Sequence, residues 1–521
     1  MSLISFNQAD PVPTRDPDFP PTLHLCNLAN VAYGYCKILD ESRADIQLRC
    51  HDLLHLMSQP EWDDLELNAS DFPEENNFFN NNADLSGYTR PTWFRTPGVL
   101  EVFASMSADP KPEDETSTPI IVRRPPWARL VRAALPAKVK DRMKPHWLRG
   151  RIVAGAVRSR ESATSRLELF RSIEQRFDTL IKHAASFGPE WEITKQELAT
   201  YHPHAYWLGR QRTHQDAVLA YVLTPIYAML YGNAPYVPVE IGTMRDIPFD
   251  NTPTGRLLAL AYRRANHCII TNPDVINAAH RLGLERYSFV PHPLDEDVYA
   301  PGEGAFRAEL EQRYNADYIL FAPARQNWDV KGNDRYLRAF AQLRKRGLRA
   351  ALLIPGWGQE IERSQKYARE LGIGDSVHWI EPQSERKLVK YFSAADFVLD
   401  QFVLDVFGLT TPKALSCGAV TITSYSKEVN GWCFDEHPPI VSCKHDHEIA
   451  NAIWDLTQNP DKRAHISAES RRWVIDNHSK RVIKNKLRSA VELAKDHYAQ
   501  QQAQRAHETK HEAPPLVGSP G

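Results

Sequence analysis

Apolar and polar positions along this chain fall into two series of alternating strands and helices. The first opens with a short apolar run, LHLCNLAN (Leu23 to Asn30), which passes into VAYGYCKILDES, where apolar residues recur every three to four positions. That spacing predicts a strand, a turn and a helix, and DIQLRC (Asp45 to Cys50) alternates as a second strand should. The stretch to about residue 120 is polar and rich in Asn, Asp, Glu and Pro, so it reads as loop or irregular insertion. Alternation resumes with strand AVLAYVLTP, helix IYAMLYG, strand YVPVEIG (Tyr236 to Gly242), helix GRLLALAYRRAN, strand HCIITN (His267 to Asn272) and helix DVINAAHRLGL. Strands joined by helices predict a parallel, doubly wound sheet.

PHPLDEDVYAPGEG, from Pro291 to Gly304, has the Pro and Gly content of an interdomain linker. After it the second series runs through strand YILFAPA, helix NDRYLRAFAQLRKRG, strand RAALLIPG, helix EIERSQKYAREL, strand SVHWIEP, helix ERKLVKYFSA, strand DFVLDQF, helix TTPKALSCG and strand AVTITSY. The expected organisation is an α/β chain of two Rossmann-like doubly wound domains. Residues 1–300 form the first, with a basic insertion at about 121–172; residues 301–498 form the second, and 499–521 make a polar, disordered tail.

Composition narrows the function classes. Lys plus Arg number 63 against 65 Asp plus Glu, so the overall charge gives no reason to expect a nucleic-acid partner. Seven scattered cysteines without a CxxC pair argue against a disulfide framework and a structural zinc site, and point to a reducing compartment. The amino terminus lacks a basic start followed by an apolar run, and the most apolar stretch, Val218 to Gly232, is interrupted by Pro225 and shorter than the roughly 20 residues of a membrane span. A cytoplasmic protein is expected. One segment changes the picture: between Ile121 and Arg160 the cations, Arg123 to Arg160, are opposed only by Asp141 and interleaved with Trp127, Trp147 and aliphatic residues. That pattern suits peripheral attachment to an anionic membrane face, or a solvated basic insertion.

Candidate chemistry gathers in the second series. Arg325 and Lys331 follow its first strand, where doubly wound sheets bind ligands, and two fixed cations there suit a diphosphate. DVFGLTTPKALSCGAVTI runs through Gly408 into a helix and offers free backbone N–H groups to an anion. His202, His204 and His214 have no one-faced metal spacing and read as loop or capping residues, and Trp357 reads as packing. His24, His51-Asp52 and His55 lie near first-strand ends and are candidates for the cleft. NLANVAYG has the position of an acceptor-side loop but lacks the glycine pair usual there.

ARQNWDVKG, AADFVLDQF and the stretch from Asp405-Val406-Phe407-Gly408 to Lys413-Ala414-Leu415-Ser416-Cys417-Gly418 together resemble the carboxy-terminal domain of GT-B glycosyltransferases of family 4. YRRANHCIITNPDVINAAHRLGL and PHPLDEDVYAP resemble the end of that family's first domain and its linker. The resemblance implies a GT-B fold with a central cleft and a retaining glycosyltransferase, of hexosyltransferase type, that uses a nucleotide-diphosphate sugar. The acceptor would be a glycan or lipid-linked molecule in cell-surface polysaccharide or glycolipid synthesis, and neither a cofactor nor a metal is expected. Arg325 and Lys331 would neutralise the donor diphosphate, Gly408 and Leu409 would give backbone donors, and Asp405 would bind sugar hydroxyls. Trp379, Ile380 and Glu381 fall where the family holds the nucleotide base. Two positions depart from the pattern. Lys413 stands where a second acid commonly receives ribose hydroxyls, and it has no acceptor capacity. A first-domain His is absent from Glu240-Ile241-Gly242-Thr243-Met244-Arg245, which makes Glu240 and Arg245 the candidates for that place. A nucleotide-sugar epimerase of the same fold and a non-catalytic sugar-nucleotide-binding protein remain as alternatives.

Overall fold

The structure, a computed structural model, describes residues 19–42, 44–50, 56–71, 87–96, 163–211 and 214–511. The basic segment 121–160 lies outside the described residues, as do His51, Asp52 and His55.

Two parallel sheets carry the fold. The first contains β1 (Thr22–Leu25), β2 (Ile46–Arg49), β3 (Phe94–Arg95), β4 (Ala217–Tyr221), β5 (Tyr236–Glu240), β6 (Cys268–Ile270) and β7 (Tyr287–Phe289), in the order β3-β2-β1-β4-β5-β6-β7. The second contains β8 (Tyr318–Phe321), β9 (Ala350–Pro355), β10 (Val377–Ile380), β11 (Phe397–Leu399), β12 (Val420–Thr423) and β13 (Val441–Ser442), in the order β10-β9-β8-β11-β12-β13. All the strand pairings are parallel. Helices cover both faces, so β1 and β4 read TLHL and AVLAY and are buried along their whole length. In each sheet the order reverses beside its first strand, at β1/β4 and at β8/β11, and a doubly wound sheet offers its ligand crevice at such a point, at the carboxyl ends of the strands. This is the two-domain GT-B arrangement, with both crevices facing one cleft.

Other features were not marked by the sequence pattern. Helices Ala163–Ala185 and Lys195–Gln211 extend the connection from β3 to β4. Ile173, Phe177, Leu180 and Ala184 recur at helical spacing and bury against the first core with Trp207 and Leu208. His202 and His204 pack beside Phe170 and Tyr227, and His214 pairs with Asp45 at 2.9 Å. His24 is buried within β1 and bonds the Tyr221 hydroxyl at 2.9 Å, so it is a core histidine.

Among the described residues the chain crosses between domains twice. The first crossing is the Pro291–Ala300 segment; the second is the turn at His478 and Ser479, after which helix Lys480–His511 returns to the first domain. Ile483, Leu487, Ala490, Val491 and Ala494 bury that helix, and Lys495 meets Asp216 at 2.5 Å. The two crossings touch: the His478 ring donates to the His292 carbonyl at 3.0 Å. Lys480 adds ion pairs to Asp295 (3.2 Å), Asp297 (2.8 Å) and, on the first domain, Glu41 (2.9 Å). The tail expected to be disordered from 499 is helical through His511, because its Gln, Ala, Arg and Glu residues favour continuation once the preceding turns are docked. Among the described residues, no helix is long and apolar enough to cross a membrane and no cluster of His, Cys, Asp and Glu is arranged to hold a metal. All seven cysteines are free thiols.

Candidate active site

The loops at the two switch points face each other across the cleft. Leu28 and Ala29 after β1, and Ala324, Arg325 and Lys331 after β8, line a cavity of about 390 Å³. Asn272 and His292, which follow β6 and β7, continue the first-domain wall, with Met57 and Trp62 beside them. Gln383, Glu385, Gly408, Leu409 and Lys413 continue the opposite wall.

Side chains shape the loop after β1 where a glycine pair is missing. Cys26, Ala29 and Asn30 hold φ of 74°, 50° and 54°, a region that L residues disfavour. Asn27 donates to Asn30 Oδ1 and to the Ser58 carbonyl, both at 2.7 Å, and accepts from the Tyr33 N–H at 3.0 Å. Asn30 donates to the Gln59 carbonyl at 2.9 Å, and Ser58 Oγ accepts from the Ala29 N–H at 3.1 Å. Asparagine tolerates the left-handed region best among non-glycine residues, and this network over-determines the rest.

The loop after β8 is fixed from two sides. Gln326 exchanges backbone hydrogen bonds with Trp357 (2.9 Å) and Glu360 (3.1 Å). Gly358, at φ 110°, permits the approach, because a Cβ there would lie 2.5 Å from the Gln326 nitrogen. Asn327 caps the short helix Trp328–Lys331 by accepting from the Val330 N–H at 3.1 Å, and Asn333 accepts from the Asn327 N–H at 2.7 Å. Arg325 and Lys331 are thereby brought together at the cavity. Lys331 donates to Gln401 at 2.7 Å, and burial lowers its pKa from the ordinary lysine value, with the Arg325 and Arg245 charges adding to the shift and Asp400 opposing it. The Arg325 guanidinium is exposed and makes no ion pair among the described residues.

Lys413 lies in helix Thr410–Ser416 and meets Glu385 at 2.6 Å, with 11% of its side chain exposed against 23% for Glu385. Glu385 also accepts from the Tyr299 hydroxyl. Although burial pushes its pKa upward, Lys413 and these hydrogen bonds hold the carboxyl below the usual glutamate range. Lys37 and Asp63 approach this pair from the first domain in an adjoining recess of about 70 Å³. The cation at the departing position of the motif thus comes with an acid on the neighbouring helix, which sequence spacing alone does not reveal.

Several expected residues stand outside the cavity lining. Asp405 faces Lys444 at 3.1 Å and accepts from the Ser424 hydroxyl. The Glu381 carboxylate accepts from the Ser70 N–H at 2.6 Å; Leu67 and Ser384 exchange further bonds at 2.9 Å, and Lys390 meets Glu66 at 2.6 Å. Trp379 packs on the second core, and the Ile380 carbonyl accepts from Gly356 at 2.8 Å. The Trp379–Glu381 turn is therefore a seam between domains, and Pro382 and Gln383 reach the cavity in its place. Arg245 makes a two-pronged pair with Asp274 at 2.7 and 2.8 Å. Glu240 is fully buried, with its pKa raised by burial; it accepts from the Gly242 N–H and from the Asn272 side chain at 3.3 Å. Glu240 stands one contact behind Asn272, and Asn272 in turn meets the His292 ring at 3.4 Å. Asn272 and His292 were missed because the pattern reads only as strand end and linker.

Residues 305–473 match the family model of glycosyl transferases group 1. A GDP-mannose-dependent alpha-(1-6)-phosphatidylinositol monomannoside mannosyltransferase of Mycolicibacterium smegmatis is 28% identical over 41% of this chain and 61% of its own length. D-inositol 3-phosphate glycosyltransferases of Stackebrandtia nassauensis and Saccharomonospora viridis are 27% and 32% identical, over 37% and 34% of this chain and 46% and 43% of theirs. The chain thus spans about half the length of these curated relatives. The Anabaena protein HepE, solved with UDP-glucose, aligns with a TM-score of 0.48 and 16% identity over 57% of this chain and 83% of its own. Arg325, Lys331, Gly408 and Lys413 all lie within the stretch that matches the glycosyl transferases group 1 model.

Proposed function

We propose that the chain transfers a sugar, with retention, from a nucleoside-diphosphate donor to a glycan or lipid-linked acceptor in the synthesis of a cell-surface polysaccharide or glycolipid. The observation that carries this reading is the pair of cations, Arg325 and Lys331, held in a cavity formed by both switch-point loops. Donor diphosphate lies against those cations and against the N–H groups of Gly408 and Leu409. As the bond from the anomeric carbon to the β-phosphate oxygen breaks, negative charge grows on the leaving group, and prepositioned cations act on that transition state. The acceptor oxygen bonds to the anomeric carbon, and its proton passes to the departing diphosphate. Among the described residues that line the cavity, the sole carboxylate is Glu385, and it is engaged by Lys413. In this reading attack and departure share one face of the sugar, without a protein nucleophile. Arg325 and Lys331 take the place of a divalent ion, so turnover should survive a chelator.

GDP- and UDP-sugars with inositol-phosphate or phosphatidylinositol acceptors form the first panel; GDP-mannose, inositol phosphate and phosphatidylinositol stand in the names of sequence relatives. A donor at a hundred times its dissociation constant should stabilise the fold by about 2.7 kcal/mol. Conversion of the donor without an acceptor would establish the epimerase instead, and no binding of any nucleotide sugar would refute the reading. The basic segment 121–160 would hold the enzyme at an anionic cytoplasmic membrane face; vesicle binding indifferent to anionic lipid removes that part.

A further inference from the structure

The amino ends of β6 and β7 lie on the side of the first sheet opposite the cleft, and there four arginines line one cavity without a carboxylate. Arg263 and Arg264 close the helix that leads into β6, Arg286 precedes β7, and Arg505 comes from the returning C-terminal helix. With His183 and Gln501 they border about 550 Å³, far more than the roughly 30 Å³ of a water molecule. A neighbouring recess of about 380 Å³ shares Arg264 and Arg505 and adds Arg176. Among the described residues, Arg263, Arg264 and Arg286 make no ion pair. Glu285 lines an adjacent recess beside Arg263 and Arg286 without pairing with either.

Two of these cations are held in place. The Arg263 guanidinium lies 3.4 Å over the Phe187 ring, and Arg264 donates to His183 Nδ1 at 2.5 Å. His183 is thus neutral, with its Nε2–H left as a donor. Burial and the adjacent Arg264 and Arg263 charges lower the His183 pKa; burial, with Arg505 beside it, also lowers that of Arg264. Gathering like charges in a recess is unfavourable unless an anion completes it, and guanidinium forks match phosphate oxygens in pairs.

We infer that this recess binds a phosphate-bearing polyanion, gripped by Arg263, Arg264 and Arg286 and closed by the C-terminal helix. The ligand contacts both the first domain and the helix that returns from the second, so it strengthens that docking. The site is independent of the cleft and of the transfer reaction assigned to it.

Pyrophosphate is the probe, titrated calorimetrically into the full chain carrying R325A and K331A so that the cleft cations are silent. One molecule should bind, more weakly as salt rises. R264Q with R286Q should reduce affinity by a hundredfold or more. Gln501→Glu keeps all four arginines and the acceptor that meets Asn266 at 3.2 Å, and the carboxylate it introduces should reduce affinity by tenfold or more. Phosphatidic acid vesicles, against phosphatidylcholine vesicles, distinguish a lipid headgroup from a soluble ligand. Sedimentation abolished by R264Q and R286Q, without pyrophosphate binding, would retain the phosphate chemistry and assign it to a headgroup. Failure of both probes, or binding unchanged in Q501E and in the double arginine variant, overturns the proposal.

Discussion

Replacing Lys413 with Met isolates the charge pair at the departing position of the family motif. Methionine fills most of the aliphatic volume but leaves Glu385 in its buried place with the Tyr299 hydroxyl and the more distant Lys37 charge. Lys413 is only 11% exposed and meets Glu385 at 2.6 Å, so the contact is close to a buried ion pair. Removing one partner of such a pair typically costs about 3–5 kcal/mol. Because Glu385 keeps 23% of its side chain exposed and retains Tyr299, a loss near 3 kcal/mol is expected from urea unfolding at pH 7. The pH dependence fixes the cause. In the parent, the folded-state pKa of Glu385 is depressed, so its contribution is present above the unfolded value and is lost as pH falls through the folded one. In Lys413→Met the remaining burial raises that pKa, and protonation relieves the variant first. The difference between parent and variant should therefore shrink as pH falls from 7 towards the ordinary glutamate value. Glu385→Gln combined with Lys413→Met should recover at least about 1 kcal/mol, since no charge is then stranded. A loss below about 0.5 kcal/mol, or one unchanged between pH 7 and pH 4.5, would refute a stabilising ion pair at this position.

Alanine at Arg325 or Lys331 should each lower donor turnover tenfold or more, since charge-assisted phosphate contacts contribute roughly 1.5–3 kcal/mol; normal steady-state kinetics in the double variant would remove the diphosphate site. Asp405→Asn should keep turnover within about threefold of the parent, because the carboxylate faces Lys444 and Ser424 rather than the cavity, and a hundredfold fall in transfer assays would show that it reaches the sugar. Burial lowers the pKa of His24 and His292 to about 3 and that of His478 to about 4, so the unfolded chain takes up protons first as pH falls below about 6.5. Each should cost about 1.6 kcal/mol of stability between pH 6.5 and pH 5, and urea midpoints that do not move over that range would contradict their neutral burial. Glu240→Ala should destabilise by about 2 kcal/mol and lower turnover by releasing Asn272; a variant equally stable and active by unfolding and transfer assays would separate Glu240 from the cavity wall.

The alternating strands and helices were legible because a parallel sheet covered on both faces needs short apolar runs joined by amphipathic helices, and β1, β4, β8 and β9 read that way. Arg325, Lys331 and Gly408 were legible because segments after strands in such sheets face ligands, Lys413 only through the resemblance to the family motif, and the structure lines one cavity with all four. The acid facing Lys413 was not legible. Glu385 lies 28 positions away on a different helix, and the pairing depends on how two helices pack side by side. The same limit applied to Glu381, whose turn looked like a base-binding turn but docks on Ser70, 311 positions away in a segment read only as irregular. Asn272 and His292 became visible once β6 and β7 were aligned side by side, which brings their carboxyl ends to the same rim.

The two interdomain crossings lie against each other, stitched by His478 to the His292 carbonyl and by Lys480 to Asp295 and Asp297. Any swing of one domain on the other would turn about this edge, and sliding or twisting there would have to break the Lys480 pairs. The Glu66–Lys390 and Ser70–Glu381 contacts lie across the seam from that edge, so parting the cleft would have to break them, and with both in place Arg325 and Lys331 stand over the first-domain wall.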